Sequence, residues 1–89
     1  MTLIINHSQL KQCIELSSDL IPIIENAFIQ LSNGNTTMPP VLRLDIKEYQ
    51  GEADVKTAYI KGLDSFAIKI ASGFFNNPSI GLPTSSGLM

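Results

Sequence analysis

The stretch from residue 20 to residue 46, LIPIIENAFIQLSNGNTTMPPVLRLDI, changes its hydrophobic period once, and this change decides the fold. Its first half carries apolar residues at helical spacing, namely Leu20, Ile23, Ile24, Ala27, Phe28 and Leu31. The i, i+3, i+4, i+7 repeat is typical of an amphipathic helix, because these positions share one helix face. Pro22 is tolerated in the first turn, and Gly34 is the expected stop. We predict a long helix from about Asp19 to Asn33.

The second half of the stretch alternates between apolar and polar residues. Two consecutive prolines, at positions 39 and 40, cannot continue a helix. Every second residue from Val41 to Ile46 is then apolar on one face, and a period of two is typical of a half-buried strand. The same reasoning predicts strands over Asp54–Ile60, Ser65–Ser72 and Thr84–Met89, with a loop from Gly73 to Pro83 before the last one.

Two shorter elements are predicted before the long helix. Residues Thr2–Ile5 favour a strand, and Leu10, Cys13 and Ile14 fall at helical spacing behind Ser8, which can cap a short helix. The element order therefore predicts an α+β fold, in which a short helix and one long amphipathic helix pack on one face of a mainly antiparallel sheet.

Length and composition favour a single domain, residues 1–89, and exclude several classes of function. A net charge of −2 provides no basic surface for nucleic acid. No apolar run reaches the ~20 residues that span a membrane, and the first residues lack the positive region of a signal peptide. We therefore expect a cytoplasmic protein. The apolar, strand-like end at Leu88-Met89 is unusual for a domain and suggests a truncated chain.

Lys69 is the first candidate for chemistry. It lies in the apolar run Phe66–Ala71, and alternation places it between Ala67 and Ala71 on one face of the strand. Two alanines leave space around the ammonium group, as a pocket would. The alternative is a lysine on the solvent face of a half-exposed sheet, which is the commoner situation for this residue type.

Arg43 and Lys56 are two further candidate cations on predicted strands. A guanidinium binds a carboxylate through two parallel hydrogen bonds, so Arg43 suits a carboxylate ligand. The alternative is a surface arginine paired with Asp45 or Glu52. Lys56 can add a third positive group to the same face, or instead form a cross-strand ion pair with Asp45 or Asp54. Three cations on adjacent strands would form an anion-binding surface.

The sequence offers no metal site and no nucleotide-binding motif. His7 has no partner at metal-ligand spacing, and we interpret it as a structural or surface residue. Cys13 is the single cysteine, which excludes an internal disulfide, and we interpret it as a buried structural thiol. No Gly-x-Gly-x-x-Gly follows a strand and opens a helix, and no P-loop or nucleophile elbow is present.

Together, several motifs resemble the ornithine cyclodeaminase/mu-crystallin family along essentially the whole chain. They are the helix ending Ala27-Phe28 through Gly34, Met38-Pro39-Pro40, the Arg43 strand, Asp54-Val55-Lys56-Thr57-Ala58, Ala67-Ile68-Lys69, Ser72-Gly73-Phe74-Phe75-Asn76-Asn77 and Gly81-Leu82-Pro83. The local sequence around Lys56 and Phe74 looks closest to that of the ectoine-utilisation cyclodeaminase-like and imine-reductase members.

The resemblance implies the N-terminal substrate-binding and dimerisation domain of an NAD(P)-dependent amino-acid cyclodeaminase or imine reductase. In that family a Rossmann domain follows and holds NAD or NADP, so we expect the 89 residues alone to bind no cofactor and to be inactive. By motif match, Arg43 would hold the carboxylate of an amino or imino acid, with Lys56 in the same pocket. Lys69 would contact substrate and help proton transfer, and Thr84 would contact the cofactor.

A rival interpretation is a stand-alone, non-catalytic binding or interaction module. Either interpretation predicts a homodimer, because three strands and two helices leave an apolar sheet face or edge uncovered.

Overall fold

Two helices precede a five-stranded antiparallel sheet in the computed structural model, which describes residues 1–89. The helices are α1 (His7–Cys13) and α2 (Leu20–Ser32). The strands are β1 (Thr36–Thr37), β2 (Leu42–Ile46), β3 (Gly51–Ile60), β4 (Ala67–Phe74) and β5 (Ser85–Leu88), and short 3-10 turns cover Lys47–Tyr49 and Asn77–Ile80. The α+β class predicted from the sequence is confirmed.

The long strand β3 organises the sheet. Along one edge it pairs with β4, and along the other it pairs first with β2 and then, at its far end, with β1. β5 pairs with the second half of β4. All four pairings are antiparallel, and neither helix is long and apolar enough to cross a membrane.

Local sequence explains how α1 begins and how α2 ends. α1 begins at a capping box in which the Asn6 side chain accepts from the Gln9 backbone N–H and the Gln9 side chain accepts from the Asn6 backbone N–H, so the cap lies two residues before the predicted Ser8. α2 carries Pro22 in its first turn as predicted. Gly34, just beyond its end, has φ of 73°, a left-handed conformation that favours glycine.

The strand predicted over Thr2–Ile5 is wrong. Residues 1–6 form no strand, because no other strand of the chain lies beside them to supply hydrogen-bond partners. Two other boundaries differ. β3 starts at Gly51 because the preceding turn is made by a 3-10 helix and by Gln50 at φ 48°. The third predicted strand begins at Ala67 and runs on to Phe74, where the sequence predicts a loop, because Gly51 and Glu52 of β3 pair with Phe74 and Gly73.

The strand register sorts the side chains onto two faces of opposite character. Residues that pair across strands share a face, and neighbours along a strand alternate. One face, called the charged face below, carries Arg43, Asp45, Glu52, Asp54, Lys56 and Lys69. The other, called the apolar face, carries Leu42, Leu44, Ile46, Val55, Ile68 and Ile70. This separation confirms the alternation predicted for β2, β3 and β4.

Very little of the chain is buried. Gly51 is its one buried residue, and the accessible surface is 7851 Å², against about 5,100 Å² for a compact monomer of this mass. The radius of gyration is 16.2 Å, whereas a compact chain of this length has about 12 Å. On the apolar face, Leu42 and Leu44 are 70% and 59% exposed.

α2 meets the sheet only near the end of β3. There Ala27, Phe28 and Leu31 face Met38 and Ile60 across a shared cleft. The apolar side of the helix is otherwise open, since Ile24 and Phe28 are 55% and 66% exposed. The fold therefore presents two apolar surfaces, the sheet face and the helix stripe, that the chain does not cover with its own residues.

Candidate functional site

The charged face brings three predicted site residues together. Arg43 lies on β2, Lys56 on β3 and Lys69 on β4, so they occupy three adjacent strands and point to the same side of the sheet. Ala58, Ala67 and Ala71 lie between and around them. Because alanine side chains are short, the long cationic side chains extend beyond their neighbours on this face. The structure thus places the three predicted cations on one face, and their role in anion binding stays a prediction.

Arg43 is engaged by acidic neighbours of its own sheet. Its Nε donates to Asp45 Oδ1 at 3.2 Å, and its Nη2 donates to Glu52 Oε2. The Asp45 hydrogen bond and the negative charges of Glu52 and Asp45 raise the pKa of the Arg43 guanidinium above its usual value. These two contacts hold the Arg43 side chain in place along β2. The structure has the ion pairs that the sequence offered as the alternative to a substrate carboxylate.

Lys56 and Lys69 form a like-charge pair. They are direct cross-strand partners in the β3–β4 register, where opposing Cβ atoms lie about 4.5–5.5 Å apart. Both residues are exposed, and neither makes an ion pair, since both ion pairs of the chain belong to Arg43. Like charges directly opposite each other destabilise a sheet. A bound anion would relieve that repulsion.

Asp54 is a further member of the charged face, which the sequence reasoning considered only as an ion-pair partner of Lys56 and not as a site residue. It pairs with Arg43 across β2 and β3 and is half-buried, and its Oδ1 atom is buried without a hydrogen-bond partner. It forms no ion pair within 4 Å with either lysine. The available signal was its position, two residues before Lys56 on the same strand, which places both on one face.

Thr84 lies apart from the three cations. It immediately precedes β5, and its carbonyl accepts from the Phe74 N–H at 2.8 Å. Extending the alternation of β5 by one residue puts Thr84 in register with Ser86 and Leu88, on the apolar face. Its side chain makes no hydrogen bond within the chain, and the residue is half-buried.

The loop before Thr84 is braced by its own polar groups. The Asn77 side chain donates to the Pro83 carbonyl at 3.0 Å, and the Ser79 hydroxyl donates to the Asn76 carbonyl at 2.7 Å. Gly81 ends the 3-10 turn at φ 78°. The segment is therefore ordered by short-range contacts, and it holds Thr84 against the end of β4.

His7 and Cys13 lie on α1, away from the charged face. Both residues are exposed. The interpretation of Cys13 as a buried thiol is therefore wrong, because no residue of α1 is buried against another element.

A dinucleotide cofactor does not fit these 89 residues alone. Its phosphates need a glycine-rich turn between a strand and a helix N-terminus. Here α1 follows residues 1–6, which form no strand, and the segment from Ile14 to Asp19 before α2 contains no glycine. Thr84 contributes one hydroxyl at most. No chemical step through such a cofactor is therefore derived from these residues.

Comparison with known proteins extends these observations. Residues 2–89 match the sequence profile described as the ornithine cyclodeaminase/mu-crystallin family. A Rhizobium meliloti (strain 1021) protein, named as a dehydrogenase, is 50% identical over 86 residues, which are 97% of this chain and 26% of that protein. A Sinorhizobium fredii protein, named as an uncharacterized cyclodeaminase, is 51% identical over 87 residues, again 97% and 26%.

A solved structure gives the same picture at the level of the fold. The Thermococcus litoralis Δ1-pyrroline-2-carboxylate reductase, solved in complex with NADH and L-proline, superposes with a TM-score of 0.80 at 25% identity. The match covers 90% of this chain and 24% of the reductase. The chain thus spans about a quarter of the length of the relatives it matches.

Proposed function

The chain belongs to the ornithine cyclodeaminase/mu-crystallin family, and on that premise we propose that it is the N-terminal substrate-binding part of an NAD(P)-dependent amino-acid cyclodeaminase or imine reductase. The observation that carries the proposal is the convergence of Arg43, Lys56 and Lys69 on one sheet face. Support comes from the similar fold of a reductase that was solved with NADH and an amino acid.

The charged face suits the recognition of an amino or imino acid carboxylate. The two lysines provide six N–H donors without acceptors in the chain. Lys69, between Ala67 and Ala71, has the more open surroundings, and we assign it to substrate contact and proton transfer at the reacting centre. Arg43 binds substrate carboxylate in this proposal only by exchanging one of its acidic partners for the ligand, which makes its contribution secondary to that of the lysines.

The nicotinamide cofactor belongs, in this proposal, to the part of the protein that lies outside these residues. NAD or NADP supplies hydride chemistry, whereas the present residues bind the carboxylate and hold a proton. Thr84 lies on the opposite face from the lysines, so the cofactor contact that the resemblance implies for it is not part of this proposal. We also place the protein in the cytoplasm, where a reducing environment keeps an exposed thiol such as Cys13 unpaired.

A homodimer is part of the same proposal. The apolar face exposes Leu42, Leu44 and Ile70, and a second copy offers the same apolar surface about a two-fold axis. The accessible surface of one chain exceeds that of a compact monomer by roughly 2,700 Å², so a dimer that covered all of it would bury about 5,400 Å² in total, at the upper end for obligate interfaces. We propose that the apolar face forms that interface, while the charged face stays open to substrate.

The proposal is tested by steady-state reduction of α-imino acids, generated from 2-oxo acids and amines, by the full-length protein with NADH or NADPH. We expect cofactor oxidation that depends on the imino acid and falls about 10²–10⁴-fold in Lys69→Ala, the usual contribution of a positioned acid–base group. Lys61→Ala, which removes an exposed lysine of the β3–β4 turn, is the matched control and should retain turnover. A protein that dimerises but binds no nicotinamide cofactor would instead be a non-catalytic binding module.

A further inference from the structure

We propose that the substrate carries two carboxylates, and that Lys56 is the residue that selects for the second one. The statement rests on the proposed function, because it places the ligand of that function on the charged face. It adds a substrate class, a dicarboxylic amino or imino acid, and a specificity role for Lys56.

The charges of the charged face are unevenly distributed. The face carries three acidic and three basic residues, but they are not evenly mixed. Asp45 and Glu52 both pair with Arg43, and Asp54 lies opposite the same arginine. The acidic charge is therefore concentrated at the β2 side of the sheet.

Two cations of the charged face are left for a ligand to neutralise. Lys56 and Lys69 stand directly opposite each other with no acidic partner within 4 Å. A monocarboxylate matches one of the two ammonium charges and leaves the other beside it without a partner. A dicarboxylate matches both, and charge-assisted hydrogen bonds are the strong ones.

Small side chains surround the lysine pair. Beyond Lys56 and Lys69 the next cross-strand pair is Ala58 with Ala67, and on the other side Ala71 lies opposite Asp54. Small side chains allow the two flexible lysine side chains to spread apart or to converge, so the pair can match a ligand of a few carbon atoms. Asp54 disfavours a ligand carboxylate on its own side of the lysine pair and directs the ligand towards the side of Ala58 and Ala67.

The test compares two ligands of nearly equal size that differ by one charge, succinate and its half-amide succinamate. Binding to the full-length protein is measured by isothermal titration calorimetry at low ionic strength. We expect succinate to bind about tenfold more tightly, the lower end for a charge-assisted hydrogen bond at an exposed site. In Lys56→Gln the ratio should fall to about one, whereas Lys56→Arg and Lys61→Gln should keep it, with circular dichroism confirming that each variant is folded.

Two results would overturn the inference. One is equal binding of the two ligands by the unmodified protein, and the other is a preference for succinate that survives in Lys56→Gln. Inorganic phosphate is titrated in parallel, and tighter binding of phosphate than of succinate would also count against a dicarboxylate. If cofactor-dependent turnover is present without a succinate preference, this inference fails while the proposed function stands. If the preference is present without cofactor-dependent turnover, the proposed function fails and the lysine subsite stands.

Discussion

Replacing Gly51 with alanine should destabilise the protein by about 1–2 kcal/mol. Gly51 pairs with Phe74 across β3 and β4, and the ring covers the glycine, which is the one buried residue of the chain. A Cβ atom built on Gly51 would overlap ring atoms Cδ1 and Cε1 of Phe74. Overpacking of this kind costs about 1–3 kcal/mol, and the lower entropy of the unfolded alanine chain offsets about 0.4–1 kcal/mol of it.

Gly73→Ala is the matched control for this prediction. Gly73 lies on β4 next to Phe74, yet a Cβ there would have no neighbour closer than 4.0 Å, the Glu52 Cγ and Phe75 Cζ atoms. The same substitution should therefore be neutral or stabilising by up to about 1 kcal/mol. Both variants are measured by urea unfolding of the full-length protein, followed by circular dichroism.

The role of the ring is isolated by repeating Gly51→Ala in a Phe74→Ala background. There the overlap is absent, so the alanine should cost little, and the two changes should show a strong coupling energy. If Gly51→Ala were no more destabilising than Gly73→Ala, the close packing of Phe74 on Gly51 would be refuted.

Three further predictions concern the two faces of the sheet. Lys56→Gln should raise the free energy of unfolding by about 0.2–1 kcal/mol in the absence of ligand, because it removes a like-charge cross-strand pair, and Lys61→Gln should leave it unaltered. Arg43→Gln should lower the denaturation midpoint at low salt, because Asp45 and Glu52 lose their partner. The loss should be smaller at about 1 M salt, where screening weakens the repulsion between the two carboxylates. An equal loss at both salt concentrations would contradict an electrostatic cause. Leu44→Asp should shift the full-length protein towards monomer in analytical ultracentrifugation, because it places a charge on the proposed interface, and an unchanged dimer would show that the apolar face is covered in another way.

The long helix and the strand β2 could be predicted from the sequence because their periods are strong and local. The apolar positions of α2 recur over three turns, and Gly34 ends the helix in a conformation that glycine favours. The alternation from Val41 to Ile46 likewise assigned Arg43 to the face where the structure places it. The faces of the candidate site residues could be predicted in the same way, since alternation along a strand assigns each lysine to one face.

Other features depend on contacts that a single sequence does not reveal. Thr2–Ile5 has the composition of a strand, but a strand forms only beside a partner, and none lies next to it here. Thr36–Thr37 forms a two-residue strand because it pairs with the end of β3. A segment of two residues is too short to show a hydrophobic period, so its sequence does not predict this strand. The register that sets Lys56 against Lys69 follows from the β3–β4 turn and could not be read from either strand alone.

Exposure was the least predictable property. Amphipathic patterns indicate which face avoids water, but they do not say what covers that face. Cys13 and Phe28 both occupy apolar positions of helices, and both are exposed in the structure.

Transfer of label from deuterated NAD(P)H to substrate tests the central claim most directly. The full-length protein is incubated with an α-imino acid and with NADH or NADPH carrying deuterium at the hydride position, and the amino acid product is analysed by NMR. The proposed function predicts deuterium on the product Cα and an initial rate about 10²–10⁴-fold lower in Lys69→Ala than in Lys61→Ala. Product without deuterium at Cα, or an undiminished rate in Lys69→Ala, would contradict it.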